Sequence, residues 1–451
     1  MQPVRLTAMH PTGLLTDHYE LTMVQAALRA GTADRPSVFE LFGRRLNGGR
    51  RYGVVAGTGR ALDAIEAFGF DDEQLAYLRE SRVVDEPTLE WLASYRFSGD
   101  IWGYAEGDAY FPGSPLMVVE ASFAEGVLLE TVLLSILNHD SAMASAASRM
   151  TSAAEGRPCI EMGARRTHEW SAVAAARAAY IAGFQATANL QAGLDYGVPT
   201  TGTAAHSFTL LHDNERDAFQ AQVTSLGTGT TLLVDTYDIA EAVQTAIDVA
   251  GPELGAVRID SGDLGLLARR VRSQLDDLGA TKTRIIVTSD LDEFAIAGLA
   301  AAPVDGYGVG TSLVTGSGQP TSGFVYKLVA RAGSMEADAP RVAVAKKSKD
   351  KVSIGGRKWA LRRRDESGVA EVELIGIGQR PSDDGDDREL LVPLVRDGAV
   401  VGREPLERAR ERHEAALAEL PDEARKLSGG APAIATDYLG DNRGPSVSPF
   451  A

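Results

Sequence analysis

Between residues 125 and 324 the chain alternates short apolar runs with helical stretches, and this rhythm restricts the possible fold more than any other feature. TTLLVD (230–235), GAVRID (255–260), RIIVTSD (284–290) and DGYGVGT (305–311) each end in Asp, Gly, Ser or Thr, and a helical pattern separates each from the next. Strands joined by helices are βαβ units, which build parallel sheets whose ligands gather at the carboxyl ends of the strands. A barrel-like α/β domain is expected here, with Ala-rich helices over 125–154 and 169–195.

The flanking segments have a different texture. A helix is expected after Thr16 or Asp17, with Gly31 as its stop. SVFELFG (37–43) and RYGVVAG (51–57), separated by Asn47-Gly48-Gly49, read as a hairpin. Helices over 59–68, 71–81 and 87–95 follow, with short strands near 101–105 and 116–120. Past Val325 come strands rich in charge (YKLVA, RVAVAKKS, KVSIGGRKWALRRR, AEVELIGIG), an acidic loop (381–389) and a helix at about 404–426. The expected division is a discontinuous α+β domain of 1–124 plus 325–427, a catalytic α/β barrel-like domain of 125–324, and a poorly ordered C-terminal tail of 428–451.

With 451 residues, 44% of them hydrophobic and 24% charged, the chain can bury a core large enough for two domains. Forty-five Lys and Arg stand against 62 Asp and Glu, and the net charge of −17 disfavours nucleic acid and anionic membranes as partners. One segment runs the other way: residues 341–364 hold ten Lys or Arg against the single acid Asp350, a local net charge of +9 that favours polyphosphate recognition. The only cysteine, Cys159, rules out an intramolecular disulfide framework and a thiolate zinc cluster. MQPVRLTAMHPTGLL lacks the apolar core of an export signal, and no stretch approaches the ~20 apolar residues of a membrane span. A cytoplasmic protein is expected.

The polar strand ends carry the chemistry. Arg258-Ile-Asp260-Ser-Gly-Asp263 opens a helix whose free N–H groups suit an anion, while its carboxylates suit hydroxyls or Mg²⁺. Thr288-Ser289-Asp290 and Gly308-Val-Gly310-Thr311 repeat the pattern on the next two strands, and small residues let the backbone approach a phosphate. His206, with small uncharged flanks, is suited to accept a phosphoryl group, and Asp235 to orient its ring. On local sequence alone, His168 and His212 are equally eligible, and a buried, hydrogen-bonded histidine explains any one of them. Glu161-Met-Gly163-Ala-Arg165-Arg166 sets two guanidinium groups after a glycine turn, matched to carboxylate or phosphate.

At these residues the sequence resembles the nicotinate phosphoribosyltransferases. The markers are TDHYELTM (16–23), FELF (39–42), EMGARR (161–166), GTAAHSF (202–208), VDTYD (234–238), RIDSGDL (258–264), TSDLDE (288–293), YGVGTS (307–312) and GFVYKLV (323–329). The resemblance implies the type II phosphoribosyltransferase fold: α/β, an irregular barrel with an α+β domain built from both termini. It also implies formation of nicotinate mononucleotide and pyrophosphate from nicotinate and phosphoribosyl pyrophosphate, with Mg²⁺ present and ATP as co-substrate through a phosphohistidine. Carried onto this chain, His206 is the phosphorylated residue and Asp235 its orienting partner, while Arg258 and Asp260 serve ribose and substrate. Tyr19 stacks on the pyridine ring across a homodimer interface, and Arg165 faces the ring or its carboxylate. Ser289, Asp290, Gly308, Gly310 and Thr311 hold the 5′-phosphate, and Lys346 and Lys347 reach pyrophosphate or ATP.

Two positions depart from the family pattern. Met162 stands where the family commonly has Phe, giving a softer second face to the ring sandwich. Asn189 stands where nicotinamide-using relatives carry Asp, which favours the acid substrate. The alternatives are a nicotinamide phosphoribosyltransferase, a quinolinate phosphoribosyltransferase, which lacks the His motif, and a catalytically silent ligand-binding relative.

Overall fold

Each of the four apolar runs ends up as one strand of a single parallel sheet. The structure is a computed structural model that describes residues 11–336, 339–346 and 353–440. It divides into two compact units, Met143–Pro320 and the pair Met1–Ala142 with Thr321–Ala451. The division thus falls at 142 and 320, where the sequence texture put it at 125 and 325.

In the 143–320 unit the six strands lie in the order Ala186–Thr187, Cys159–Glu161, Gly306–Val309, Arg284–Ser289, Ala256–Ile259, Thr231–Leu233, all parallel, as a half-barrel. Ile286 illustrates the register, facing Gly306 on one side and Arg258 on the other. Val257, Ile259, Ile285 and Val287 are wholly buried, as strands covered on both faces require. The helices Ile239–Ala250, Leu264–Asp277 and Glu293–Gly298 return the chain between strands. Asp238, Asp263 and Asp292 cap them by accepting backbone N–H groups. Asp263 of the RIDSGD motif is therefore spent on its own helix. All strands share one direction, so Glu161, Thr187, Asp235, Asp260, Ser289 and Gly310 come at or just past their carboxyl ends.

Two expected elements in this unit are corrected. The 169–195 stretch is two helices, Glu169–Ile181 and Leu190–Tyr196, with the strand Ala186–Thr187 between them. Gly183, at φ +101°, ends the first in a conformation that a side chain strains. The 125–154 stretch likewise divides into Phe123–Val127 and Glu130–Ala153, the second running across the boundary between the units.

The other unit is built on a seven-stranded antiparallel sheet, and here the expected hairpin is absent. Pro36–Gly43 pairs with Phe324–Ala332 on one side and Pro115–Ser122 on the other. The second arm, Gly53–Val54, pairs with Ala109–Tyr110. Seven of the eight residues of Pro36–Gly43 are buried, so both its faces are covered, and both its edges are taken by strands distant in sequence. Gly53 lies against the Tyr110 ring, where an added Cβ would come within 2.2 Å of it. The tail is also more ordered than expected, since Ala435–Leu439 forms a strand parallel to Ala370–Ile377. Among the described residues no helix is long and apolar enough to cross a membrane.

Candidate active site

His206 is the first residue of the helix His206–Leu211, and its ring is 40% exposed. Nδ1 lies 3.1 Å from Thr236 Oγ1, whereas Nε2 lies 3.8 Å from Asp260 Oδ2 and 3.9 Å from Asp235 Oδ1. The hydroxyl that orients the ring thus belongs to Thr236, a residue passed over in the sequence; Asp235 stands off the other nitrogen. The two other histidines singled out in the sequence have local partners. His168 caps a helix by accepting from Trp170 N, and His212 Nδ1 is bound to Phe208 O within its own turn.

Each carboxylate is held by donors from the next strand end. Asp235 Oδ2 accepts from Asp260 N at 3.0 Å and from Ser261 Oγ at 2.6 Å, and Thr288 donates its hydroxyl to Asp260 Oδ1. Arg258 donates Nη1 to Thr203 Oγ1 at 2.7 Å. Burial lowers its pKa, the nearby Asp260 and Asp235 charges oppose that fall, and Arg165 adds to it. The Arg165 charge is therefore felt at Arg258. Two buried polar atoms of this cluster, Asp235 Oδ1 and Arg258 Nε, have no hydrogen-bond partner among the described residues. Such atoms are costly unless a ligand satisfies them.

A second group surrounds Met162. Its N–H donates to Val309 O at 2.8 Å, and a Cβ at Gly308 would come within 2.7 Å of its sulfur and 2.4 Å of Thr288 Cγ2. Glycine at 308 is thus a packing requirement. Beneath lies Glu161, fully buried, which accepts from Gly163 N and Thr187 Oγ1, with burial raising its pKa. Thr187 Oγ1 in turn accepts from Asn189 N at 2.9 Å. Glu161 therefore links the Met162–Arg165 turn to Asn189. Asn189 itself is the N-cap of Leu190–Tyr196, its side-chain oxygen accepting from Ala192 N at 3.1 Å.

Ser289 and Asp290 stand exposed past their strand, and Gly310 and Thr311 open the short helix Thr311–Val314. Cys159 is buried at the start of its strand, its thiol pushed up to about 12 by burial. Tyr19 and Lys346 belong to the other unit. Tyr19 is 45% exposed on the helix His18–Arg29, and Lys346 is exposed after the strand Arg341–Ala343. Lys347 lies outside the described residues.

The expectation that 341–364 presents its charge to phosphates is corrected for six of its ten cations. Arg341 and Arg357 pair with Glu120, Lys358 with Glu40, and Arg362 with Asp108 and Glu373. Arg363 pairs with Asp384 and Asp387, and Arg364 with Glu419. Arg357 also lies over the Trp359 ring, 4.2 Å from its centroid. These cations hold the unit together. The triad Asp383, Asp384 and Asp387 has metal-ligand spacing, but Arg363 already occupies it.

Comparison with known proteins places these features in a family. Residues 14–138 match the nicotinate phosphoribosyltransferase (NAPRTase) N-terminal domain. The chain is 58% identical over 435 residues to a nicotinate phosphoribosyltransferase of Mycobacterium tuberculosis, covering 94% of this chain and 95% of that one. It is 38% identical over 361 residues to a nicotinate phosphoribosyltransferase of Bacillus subtilis, covering 77% and 72%. The crystal structure of human nicotinic acid phosphoribosyltransferase matches with a TM-score of 0.79 at 25% identity, covering 94% and 97%. A nicotinate-nucleotide pyrophosphorylase from Pyrococcus furiosus matches at 0.73 and 21% identity, covering 94% and 100%, a likeness of fold.

Proposed function

The chain belongs to the nicotinate phosphoribosyltransferase family, and on that premise we propose that it joins nicotinate to phosphoribosyl pyrophosphate, releasing nicotinate mononucleotide and pyrophosphate in NAD biosynthesis, with ATP hydrolysis coupled through a phosphohistidine at His206. The observation that carries the reading is the cluster at the strand ends. His206 Nε2 lies between two carboxylates, one of them carrying the oxygen Asp235 Oδ1 that has no hydrogen-bond partner among the described residues, and Arg258 Nε of the same cluster also has none there.

The pyridine nitrogen attacks ribose C1 as the bond to pyrophosphate breaks, so the ring needs no protein base. Positive charge grows at C1, which Asp260 is placed to stabilise, while Arg258 steadies the departing anion. Arg165 answers the nicotinate carboxylate, Met162 packs on one face of the ring, and Tyr19 stacks on it across the dimer interface. The backbone near Ser289, Asp290, Gly308, Gly310 and Thr311 receives the 5′-phosphate, and Lys346 and Lys347 the polyphosphate. Asp235 Oδ1 and Asp260 fit Mg²⁺, which takes one or two carboxylates together with substrate phosphates. Bound there, the ion supplies charge neutralisation to the leaving pyrophosphate.

The active form is a homodimer with shared sites, located in the cytoplasm. Supporting the dimer, Leu190, Leu194, Leu210 and Leu211 are between 62% and 76% exposed on the helices Leu190–Tyr196 and His206–Leu211. The test is product formation from phosphoribosyl pyrophosphate with nicotinate or nicotinamide, with and without ATP, read by chromatography. Nicotinate mononucleotide is expected, in higher yield with ATP. Product from nicotinamide and none from nicotinate overturns the assignment.

A further inference from the structure

The two nitrogens of the His206 ring face opposite demands. A neutral imidazole carries one proton, and the nitrogen without it is the nucleophile. Nε2 has a carboxylate oxygen on either side, from Asp260 at 3.8 Å and Asp235 at 3.9 Å. Without a fixed partner at Nδ1 the ring is free to carry its proton on Nε2, which turns the lone pair away from the strand ends. The one hydrogen-bond partner of the ring among the described residues is Thr236 Oγ1, 3.1 Å from Nδ1.

Resting on the phosphohistidine reading above, we propose that Thr236 is a positioning residue that sets the tautomer of His206: its hydroxyl oxygen accepts Nδ1–H, holds the proton there and leaves Nε2 free to attack. The Nε2 lone pair then forms the N–P bond to the γ-phosphoryl group of ATP as the P–O bond to ADP breaks. The product ring is a phosphoimidazolium that keeps its proton on Nδ1, within the same hydrogen bond to Thr236. A hydroxyl suits the place because it accepts without adding a third negative charge to the pair already present. The fold puts it there economically. Thr236 directly follows Asp235 at the end of Thr231–Leu233, so one strand end supplies a carboxylate to one ring nitrogen and a hydroxyl to the other.

The experiment labels the purified full-length chain with [γ-³²P]ATP and compares wild type, Thr236→Val, Thr236→Ser and His206→Ala. Thr236→Val is expected to lose about tenfold or more in the rate of acid-labile labelling, and Thr236→Ser to recover to within a few-fold of wild type. ¹⁵N spectra of histidine-labelled protein supply a readout that mere structural support would not move: His206 protonated on Nδ1 in wild type and in Thr236→Ser, and shifted toward Nε2–H in Thr236→Val. Should the valine variant not fold, Thr236→Ala takes its place in both measurements. Wild-type labelling in Thr236→Val with none in His206→Ala overturns this inference alone. Label persisting in His206→Ala overturns the phosphohistidine reading itself.

Discussion

Asp235 accepts the backbone N–H of Asp260 at 3.0 Å, so the carboxylate of one strand end is fastened to the backbone of its neighbour before any ligand arrives. Ser261 adds its hydroxyl to the same oxygen at 2.6 Å. Asp235→Ala releases both donors and frees the 260–263 turn. We expect kcat/KM for nicotinate mononucleotide formation to fall about a hundredfold, with Asp235→Asn, which keeps an acceptor, in between. Steady-state kinetics on the three proteins checks this.

Glu161 joins the turn that carries Met162 to the strand that carries Thr187. Removing the carboxylate leaves Gly163 N and Thr187 Oγ1 unsatisfied in a buried site, at a cost of about 1–3 kcal/mol. Glu161→Ala is expected to lose that stability in urea denaturation and to raise the KM for nicotinate more than the KM for phosphoribosyl pyrophosphate. Equal rises in both would show that Glu161 has no particular connection to the ring pocket.

Glu20 is fully buried, and burial raises its pKa to about 7 against hydrogen bonds from Thr16 and Thr131 that act to lower it. A carboxyl raised in the folded state carries no penalty below its ordinary value of 4.5, and the penalty accumulates as pH rises from there to about 7. Wild-type stability should therefore decline across that interval on this account and level off above it. Glu20→Gln keeps an acceptor for Thr131 and should flatten the decline, giving a higher Tm than wild type at pH 8. A pH series of thermal melts decides it.

Lys358 and Glu40 form an ion pair with both side chains no more than 3% exposed. Lys358→Met strands a carboxylate in the interior and should cost about 3–5 kcal/mol. Lys358→Met with Glu40→Leu should cost clearly less, because no charge is left behind. Chemical denaturation of the two variants tests the difference.

Four strands of the half-barrel were legible because they are apolar runs closed by a polar residue and followed by a helical pattern; Cys159–Glu161 and Ala186–Thr187 are too short to show that pattern. The other unit was not, because its pairings are distant. RYGVVAG reads as the second arm of a hairpin, yet Gly53 and Val54 find their partners at Tyr110 and Ala109. The basic run at 341–364 reads as a phosphate surface because its acids Glu40, Asp108 and Glu120 lie far back in the chain and Glu373 comes only on the next strand. At the site, Asp235 and Asp260 announce themselves as polar residues at strand ends, and His206 as a histidine among small uncharged neighbours. Thr236, Glu161 and Thr187 do not, since a hydroxyl or buried carboxylate gains its role only from what it touches. Their one signal is position, each in or beside a motif already picked out for another residue.

The pairing of Pro36–Gly43 with Phe324–Ala332 has a consequence for biosynthesis. A ribosome delivers the first of these strands long before the second, and the whole 143–320 unit is made in between. That unit is continuous and has every strand of its sheet once residue 309 has emerged. The sheet begun by the N-terminal segment meanwhile keeps an open edge, available to other chains, until residues 324–332 are translated. Protection of that edge is a matter of timing and of helpers in the cell as much as of the finished fold.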